Sequence, residues 1–203
     1  WGMLQDDHLV RLYDSGYADG SIPYMVLEYF EEGVVGDILR EYGPFPLEWL
    51  ILVTTHVLKA LISAHSAQVL HRDINPDAII VSQDAQGNPH FRLTGFGLAK
   101  HLNDDDDPTA ITMTGQVLGN PAYMAPETIM QGILDQKTDL YALGITLFEL
   151  TTGRRPFLSK SLADMLGEHI QGDVPHLSTL RSDIPRYFQD FVHQLILKQP
   201  ARR

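Results

Sequence analysis

The residues best suited to chemistry fall in two short runs of the chain. The first is His71–Ala78, which places an imidazole, a guanidinium and the carboxylates of Asp73 and Asp77 close together in sequence. Carboxylates and imidazoles are the side chains that most often transfer protons in reactions. The second run begins at Gly95 and opens a stretch rich in Gly, Asp and Thr that extends to Glu127. Connections of this length are usually functional or disordered, so both runs are candidates for a site.

Other kinds of chemistry find little support in the composition. Cysteine is absent, which excludes thiolate nucleophiles and disulfides. The nine histidines are scattered along the chain, and we expect them to form no metal-ligating cluster. The formal net charge of −11 disfavours binding to phosphate backbones and to anionic lipid surfaces. We therefore expect no nucleic-acid partner.

We also expect no membrane segment in this chain. The most continuous apolar run, Leu140 to Leu150, is interrupted by Gly144 and Glu149. It is much shorter than the roughly 20 residues that a membrane-spanning helix needs. With 44% hydrophobic residues among 203, the chain can instead bury one sizeable core.

The elements that must position the two runs are mostly helical. The apolar runs Leu9 to Tyr17 and Ile22 to Phe30 flank an Asp-Gly pair, which predicts a β-hairpin. Helical periodicity follows, interrupted by a second pair of strand-like runs. The predicted helices are Val35–Glu41, Pro46–Gln68, Ala125–Gln131, Lys137–Thr152, Ser161–Gln171 and Pro185–Gln199, and the second strand pair is Ala78–Ser82 with His90–Thr94.

Five motifs in a fixed order carry a resemblance to one family. They are His71-Arg72-Asp73-Ile74-Asn75-Pro76-Asp77-Ala78, Thr94-Gly95-Phe96-Gly97, Gly119-Asn120-Pro121-Ala122-Tyr123-Met124-Ala125-Pro126-Glu127, Asp139-Leu140-Tyr141-Ala142-Leu143-Gly144 and Lys198-Gln199-Pro200-Ala201-Arg202-Arg203. One tripeptide match is weak, but five in the correct order are not expected by chance. The chain resembles the catalytic domain of protein kinases, and its sequence is similar in character to that of bacterial receptor-type Ser/Thr kinases.

The resemblance implies an α+β fold, a mostly α-helical kinase C-lobe with a remnant of the N-lobe β-sheet. We expect residues 1–30 to be that remnant, comprising the last two strands and the hinge, and residues 31–203 to form the C-lobe. The glycine-rich phosphate loop and the strand lysine of the family would precede Trp1. The N-lobe is therefore expected to be largely absent from this chain.

Four positions depart from the family pattern, and all four bear on phosphoryl transfer. The family holds magnesium with an Asn of the catalytic loop and the Asp of Asp-Phe-Gly, and here those positions are Ala78 and Gly95. Magnesium requires oxygen ligands, so the resemblance implies that Mg²⁺ is not bound. Asn75 replaces the lysine that contacts the transferred phosphate, and Asn120 replaces a threonine that bonds the catalytic aspartate. Asp73, the catalytic position, is retained and is expected to be non-productive.

The residues to which the resemblance gives structural roles are kept. Glu127 and Arg203 match an ion pair that ties the end of the activation segment to the last helix. Asp139 matches a residue that accepts hydrogen bonds from the catalytic-loop backbone. A retained scaffold with altered chemistry is typical of a binding or regulatory module.

The loop after Gly95 contains candidates for regulation. Thr112 and Thr114 match positions that are phosphorylated in similar bacterial kinases, and Arg72 is the residue that would pair with such a phosphate. The equal alternative is that both threonines are ordinary loop residues without phosphorylation. The carboxylates of residues 104–107 are an alternative source of negative charge for Arg72.

A nucleotide site is compatible with the departures, because adenine contacts need no magnesium. The resemblance makes Leu27 the gatekeeper and Ile80 the apolar floor, with the backbone of Glu28 and Phe30 facing the adenine edge. ATP is thus a candidate ligand, and an empty crevice is the equal alternative.

The sequence predicts a catalytically deficient pseudokinase that acts as a regulatory or scaffolding binding module. Its expected partner is a protein, with an active kinase among the candidates. We expect the domain in the cytoplasm, alone or as the cytoplasmic part of a larger, membrane-anchored protein. One alternative is a weakly active Ser/Thr kinase that transfers phosphate from ATP to protein hydroxyls. Another is a degenerate remnant with no partner.

Overall fold

The computed structural model describes residue 2, residues 4–96, the backbone of residues 100 and 101, and residues 119–203. Within these residues the chain forms six α-helices and three two-stranded antiparallel sheets. The predicted α+β class is therefore confirmed. The domain boundary between residues 30 and 31 stays a prediction, as does the absence of most of the N-lobe.

The chain opens with a β-hairpin of strands β1 (Leu12–Ala18) and β2 (Ile22–Leu27). In the turn, Asp19 and Gly20 both have positive φ, at 50° and 73°. An Asp-Gly pair adopts this conformation at low cost, which is why the pair favours tight hairpins. The predicted hairpin is present, with both strands shorter than predicted.

Helices α1 (Val35–Tyr42) and α2 (Leu47–Ser66) follow, and α2 begins directly after Pro46. One stripe of α2 lies in the core, and it consists of Leu50, Val53, Thr54, His56, Val57, Ala60, Leu61 and Ala64. By length and composition alone α2 could also cross a membrane, so the chain has a longer apolar helix than the run from Leu140 to Leu150. The core helices of soluble proteins share these properties, and the buried stripe of α2 fits that explanation.

A second hairpin lies beside α2. Its strands are β4 (Ile79–Gln83) and β5 (Pro89–Leu93), close to the predicted bounds. The segment before β1 joins the outer edge of β5, where the N–H of Leu93 donates to the carbonyl of His8 at 2.8 Å. A further pair of very short strands joins β3 (Val69–Leu70) to β6 (Lys100–His101).

The central helix of the remaining part is α4 (Gln136–Thr152). The other helices there are α3 (Pro126–Gln131), α5 (Leu162–Gln171) and α6 (Arg186–Leu195). Twelve of the 17 residues of α4 are buried, so other elements surround it. α6 approaches most closely at Gly144, where an added Cβ atom would lie 2.7 Å from the Cβ of Leu195. No residue larger than glycine fits there without a shift of the helices.

The predicted helices are all present, and the largest difference in extent is at the last one. α6 ends at Leu195 instead of Gln199. Gln199 is extended, with φ −89° and ψ 115°, because a residue that precedes proline is disfavoured in the α conformation. Pro200 therefore starts a separate 3₁₀ turn, Pro200–Arg202.

A buried histidine connects α5 to its neighbours. His169 donates from Nε2 to the carbonyl of Ala122 at 3.1 Å, and its Nδ1 accepts from the hydroxyl of Tyr141 at 2.9 Å. Burial, with a smaller effect of the Lys198 charge, lowers the pKa of His169 to about 4. The folded protein thus holds this ring in its neutral form.

This burial makes stability depend on pH. The unfolded His169 takes up a proton as the pH falls below its ordinary pKa of 6.5, whereas the folded side chain stays neutral to about pH 4. The stabilisation is complete above pH 6.5 and is lost as the pH falls toward 4, by about 2 kcal/mol at pH 5. Chemical denaturation at several pH values should show a shallower loss of unfolding free energy in His169→Gln than in the wild type. The exposed His176→Gln serves as the control, and equal pH dependence in all three proteins would contradict the assignment.

Candidate functional site

The loop that carries Asp73 is held by a buried carboxylate from α4. Asp139 is 1% exposed, and it accepts hydrogen bonds from the backbone N–H groups of His71 at 3.0 Å and Arg72 at 2.9 Å. Nε2 of His65 lies 2.8 Å from the same carboxylate. Arg72 has φ +72°, a conformation that side chains other than glycine rarely adopt. Asp139 thus offsets the strain that the loop stores at Arg72.

His71 connects this loop to the segment around Gly95. Its Nε2 donates to the carbonyl of Thr94 at 2.6 Å, and its Nδ1 accepts the N–H of Asp73 at 3.2 Å. The ring also packs edge-on against Phe96, with 4.6 Å between the ring centroids. Burial lowers the pKa of His71, in agreement with a neutral ring that donates once and accepts once. The two sequence runs therefore form one site.

Asp73 is partly buried beside Asn120. Its Oδ1 accepts the backbone N–H of Asn120 at 3.0 Å, while the side chain of Asn120 accepts the N–H of Ala122 at 3.1 Å. Asn120 therefore reaches Asp73 through its backbone, and its side chain caps the Pro121–Tyr123 turn. Burial raises the pKa of Asp73, and the Asn120 hydrogen bond partly opposes that shift.

The side chain of Asn75 is turned into its own loop. It donates to the carbonyl of Asp73 and accepts the N–H of Asp77, both at 2.9 Å. A side chain used in this way caps a local turn, and it does not extend into the cleft as a lysine would. The carboxylate of Asp77 points toward α1, where it accepts from Arg40 at 2.9 Å.

The two positions at which the family holds magnesium are adjacent in space. The carbonyl of Ala78 accepts the N–H of Thr94 at 2.9 Å. A Cβ atom added at Gly95 would lie 3.7 Å from the Cβ of Ala78 and 3.7 Å from Cε1 of His71. Two oxygen-bearing side chains at these positions could converge on one ion, but a hydrogen and a methyl group offer it no ligand. Gly95 also has φ +87°, so any side chain placed there carries backbone strain.

Glu127 and Arg203 form a buried bidentate ion pair. Nη1 of Arg203 lies 2.5 Å from Oε1 of Glu127, and Nη2 lies 2.8 Å from Oε2. The remaining donors of Arg203 reach the carbonyls of Leu197, Lys137 and Lys198. Its side chain is 0% exposed, so the pairing satisfies a charge that would otherwise be costly to bury.

The residues expected to contact adenine lie around one arginine that the sequence did not indicate. Ile80 is the cross-strand partner of Arg92 in the β4–β5 hairpin. Nη1 of Arg92 lies 3.3 Å from Oε2 of Glu28, and its guanidinium lies 5.1 Å from the centroid of the Phe30 ring. The strand β2 ends at Leu27, and the backbone N–H of the next residue, Glu28, donates to the carbonyl of Arg11. Glu28, Phe30 and Ile80 are thus close together around Arg92.

Some predicted residues cannot be compared with the structure. Thr112, Thr114 and the carboxylates of residues 104–107 lie outside the described residues. Besides the contacts of Arg92, the sequence gives no indication of two others: Nε2 of His65 lies 2.8 Å from Asp139, and the hydroxyl of Tyr123 donates to Glu149 at 2.5 Å. Both are long-range side-chain contacts for which the sequence carries no local signal.

The helical body, the Asp139-held loop and the Glu127–Arg203 pair define the class of protein. Residues 2–203 match the family model described as the protein kinase domain. The chain belongs to that family.

Individual relatives agree with this assignment. The chain is 34% identical over 200 residues to serine/threonine-protein kinase PknL of Mycobacterium tuberculosis (strain ATCC 25618 / H37Rv), covering 98% of the chain and 48% of PknL. It is also 34% identical over 200 residues to serine/threonine-protein kinase PrkC of Bacillus subtilis (strain 168). That match covers 98% of the chain and 30% of PrkC. Identity to PknH of Mycobacterium bovis is 30% over 202 residues, covering 100% and 32%. The chain therefore spans half the length of these relatives or less.

The buried ion pair gives a stability prediction. Glu127→Gln should lower the free energy of unfolding by about 3–5 kcal/mol, because it leaves the Arg203 guanidinium buried without a counter-charge. Urea denaturation followed by circular dichroism would measure the change.

The control for this prediction is a pair with the same bidentate geometry in a more exposed place. Arg181 binds Asp183 through two contacts at 2.8 and 2.7 Å, and the Asp183 side chain is 64% exposed. Asp183→Asn should lower the free energy of unfolding much less than Glu127→Gln, because solvent screens the exposed pair. Equal costs for the two substitutions would show that burial does not decide the strength of these pairs.

Proposed function

We propose that this protein kinase domain is catalytically deficient and acts as a regulatory or scaffolding module. The observation that carries the proposal is the pair Ala78 and Gly95, two adjacent positions without an oxygen ligand. Phosphoryl transfer depends on positioning and on metal ions that neutralise the phosphate charge. A domain that cannot hold the ions loses the largest part of that stabilisation.

Further losses act in the same direction. Asn75 is folded into its loop and supplies no positive charge to a transferred phosphate. Removing one preorganised electrostatic group commonly raises a barrier by about 2.7–4 kcal/mol. Several such losses do not add simply, but together they remove most of the rate enhancement.

The scaffold favours a binding role. The contacts made by Asp139 and the Glu127–Arg203 pair are intact, so the loop that carries Asp73 keeps a defined shape for recognition by another protein. An active kinase is the partner class that we favour. We propose that the domain works in the cytoplasm, alone or as part of a membrane-anchored protein.

ATP binding without magnesium is part of this proposal. Leu27, Glu28, Phe30 and Ile80 would contact the adenine through backbone and apolar groups, which need no cation. Arg92, which contacts both Glu28 and Phe30, would hold this segment in place.

A weakly active kinase is the second candidate, and it rests on Asp73. This side chain is present and keeps its hydrogen bond to the N–H of Asn120. A metal-independent reaction would use it to orient the substrate hydroxyl.

The deciding experiment restores the two oxygen ligands in the full-length protein. We expect the wild type to show no phosphotransfer and the same ATP affinity with and without Mg²⁺. The double variant Gly95→Asp/Ala78→Asn should bind ATP at least about tenfold more tightly when Mg²⁺ is present, because both new side chains offer oxygen ligands.

The matched control is Gly95→Ala/Ala78→Leu. It places a Cβ atom in the left-handed backbone at position 95, which costs about 1–2 kcal/mol and is no milder for alanine than for aspartate. At position 78 it has as many side-chain heavy atoms as asparagine, but neither position gains an oxygen. It should show no Mg²⁺ effect. Magnesium-dependent labelling of a protein substrate by the wild type, abolished in Asp73→Asn, would instead establish the second candidate.

A further inference from the structure

Three histidines from three separate segments meet beside α2. His8 precedes β1, His56 lies in α2 and His90 lies in β5. Their ring centroids are 4.6–5.0 Å apart, and one ring nitrogen from each lies within 4.8 Å of the other two. The three rings are therefore close together in space, although their positions are scattered along the sequence.

Two of the rings are already oriented as metal ligands usually are. Nδ1 of His8 lies 2.9 Å from a carboxylate oxygen of Asp6, so in the neutral ring Nδ1 carries the proton and Nε2 keeps a lone pair. Nε2 of His90 lies 2.9 Å from the carbonyl oxygen of Asp7. A carbonyl only accepts, so Nε2 is the donor and Nδ1 keeps the lone pair. Hydrogen bonds from the second ring nitrogen to a carboxylate or carbonyl are the common outer shell of metal-bound histidine.

His56 is the ligand that has to rearrange. Its Nδ1 accepts the backbone N–H of Phe91 at 3.1 Å, so the neutral ring of the metal-free protein carries its proton on Nε2. Coordination requires the ring to release the Phe91 N–H. The loss of one hydrogen bond from a buried donor weakens metal binding by about ten- to a hundredfold. We therefore expect a site of moderate affinity.

We propose that His8, His56 and His90 bind one divalent ion of the zinc class. Imidazole ligands suit zinc, nickel and copper, whereas magnesium prefers oxygen. Nitrogen ligands about 2.0–2.1 Å from a tetrahedral zinc ion lie about 3.3 Å apart. Bringing nitrogens that are now up to 4.8 Å apart to that geometry requires side-chain rotations, including the release of the Phe91 N–H by His56. Three protein ligands leave the fourth position to water.

The ion would fix the segment before β1 to the helical body. That segment is already attached to β5 by the hydrogen bonds from Leu93 N to His8 O and from Val10 N to Leu93 O. It leads directly into the β1–β2 hairpin. The carboxylate of Asp6 beside His8 favours a cation here, whereas the charge of Lys59 near His56 opposes it.

The test uses the full-length protein, freed of metal with a chelator and titrated with Co²⁺ and Zn²⁺. We expect one equivalent of Co²⁺ to give the visible absorption of a four-coordinate ion, with displacement by Zn²⁺. Zinc should raise the midpoint of thermal unfolding, and Mg²⁺ should not. His90→Gln should reduce Zn²⁺ affinity at least about tenfold and remove the thermal shift.

The control is His176→Gln, which removes a histidine from the His176–His193 pair elsewhere on the protein. It should bind Zn²⁺ as the wild type does. His8→Gln, in the less buried segment, repeats the test if His90→Gln fails to fold. Absence of stoichiometric Co²⁺ binding by the wild type would overturn the proposal. Wild-type affinity in both His90→Gln and His8→Gln would do the same.

Discussion

The arrangement of the site depends on one buried carboxylate, that of Asp139 at the start of α4. It accepts two backbone N–H groups from adjacent residues of the catalytic loop, and a ring nitrogen of His65 lies beside it. Hydrogen bonds to a charged acceptor contribute about 1.5–3 kcal/mol each, enough to hold Arg72 at a φ of +72°. With the loop fixed, His71 reaches Thr94 and Phe96. The loop and the Gly95 segment are thereby kept in contact, so Asp139 helps to fix the positions of Ala78 and Gly95 relative to each other.

The domain combines an intact scaffold with side chains at Ala78 and Gly95 that offer no oxygen ligand. The buried contacts of Asp139, Glu127 and Arg203 are costly to lose, because each leaves a charge or a donor without a partner in the interior. The replacements at Ala78 and Gly95 cost the fold little, since a methyl group and a hydrogen need no partner. Gly95 is even well suited to its φ of +87°, because glycine adopts positive φ without steric cost. The contacts that stabilise the fold and the positions proposed to lack magnesium ligands thus involve different residues.

The sequence allows the class, the helices and the hairpins to be predicted because their signals are local: helical periodicity, an Asp-Gly turn and motifs in a fixed order. Strands β3 and β6 have two residues each, too few for any alternation to appear. The side chains that turn inward could not be foreseen either. Asn75 and Asn120 cap local turns, and Arg92 bridges Glu28 and Phe30. The proximity of His8, His56 and His90 brings together residues that are distant in sequence. The sequence alone does not reveal such a contact.

The central claim is that the cleft holds no divalent ion with a nucleotide. It is tested most directly by the anomalous scattering of Mn²⁺ in crystals of the full-length protein grown with ATP. Manganese shares the preference of magnesium for oxygen ligands and is located without ambiguity. The account predicts no manganese peak between Ala78, Gly95 and the phosphates, whether or not the adenine is bound. An ordered Mn²⁺ that bridges the phosphates and is coordinated by the protein at that place would contradict it.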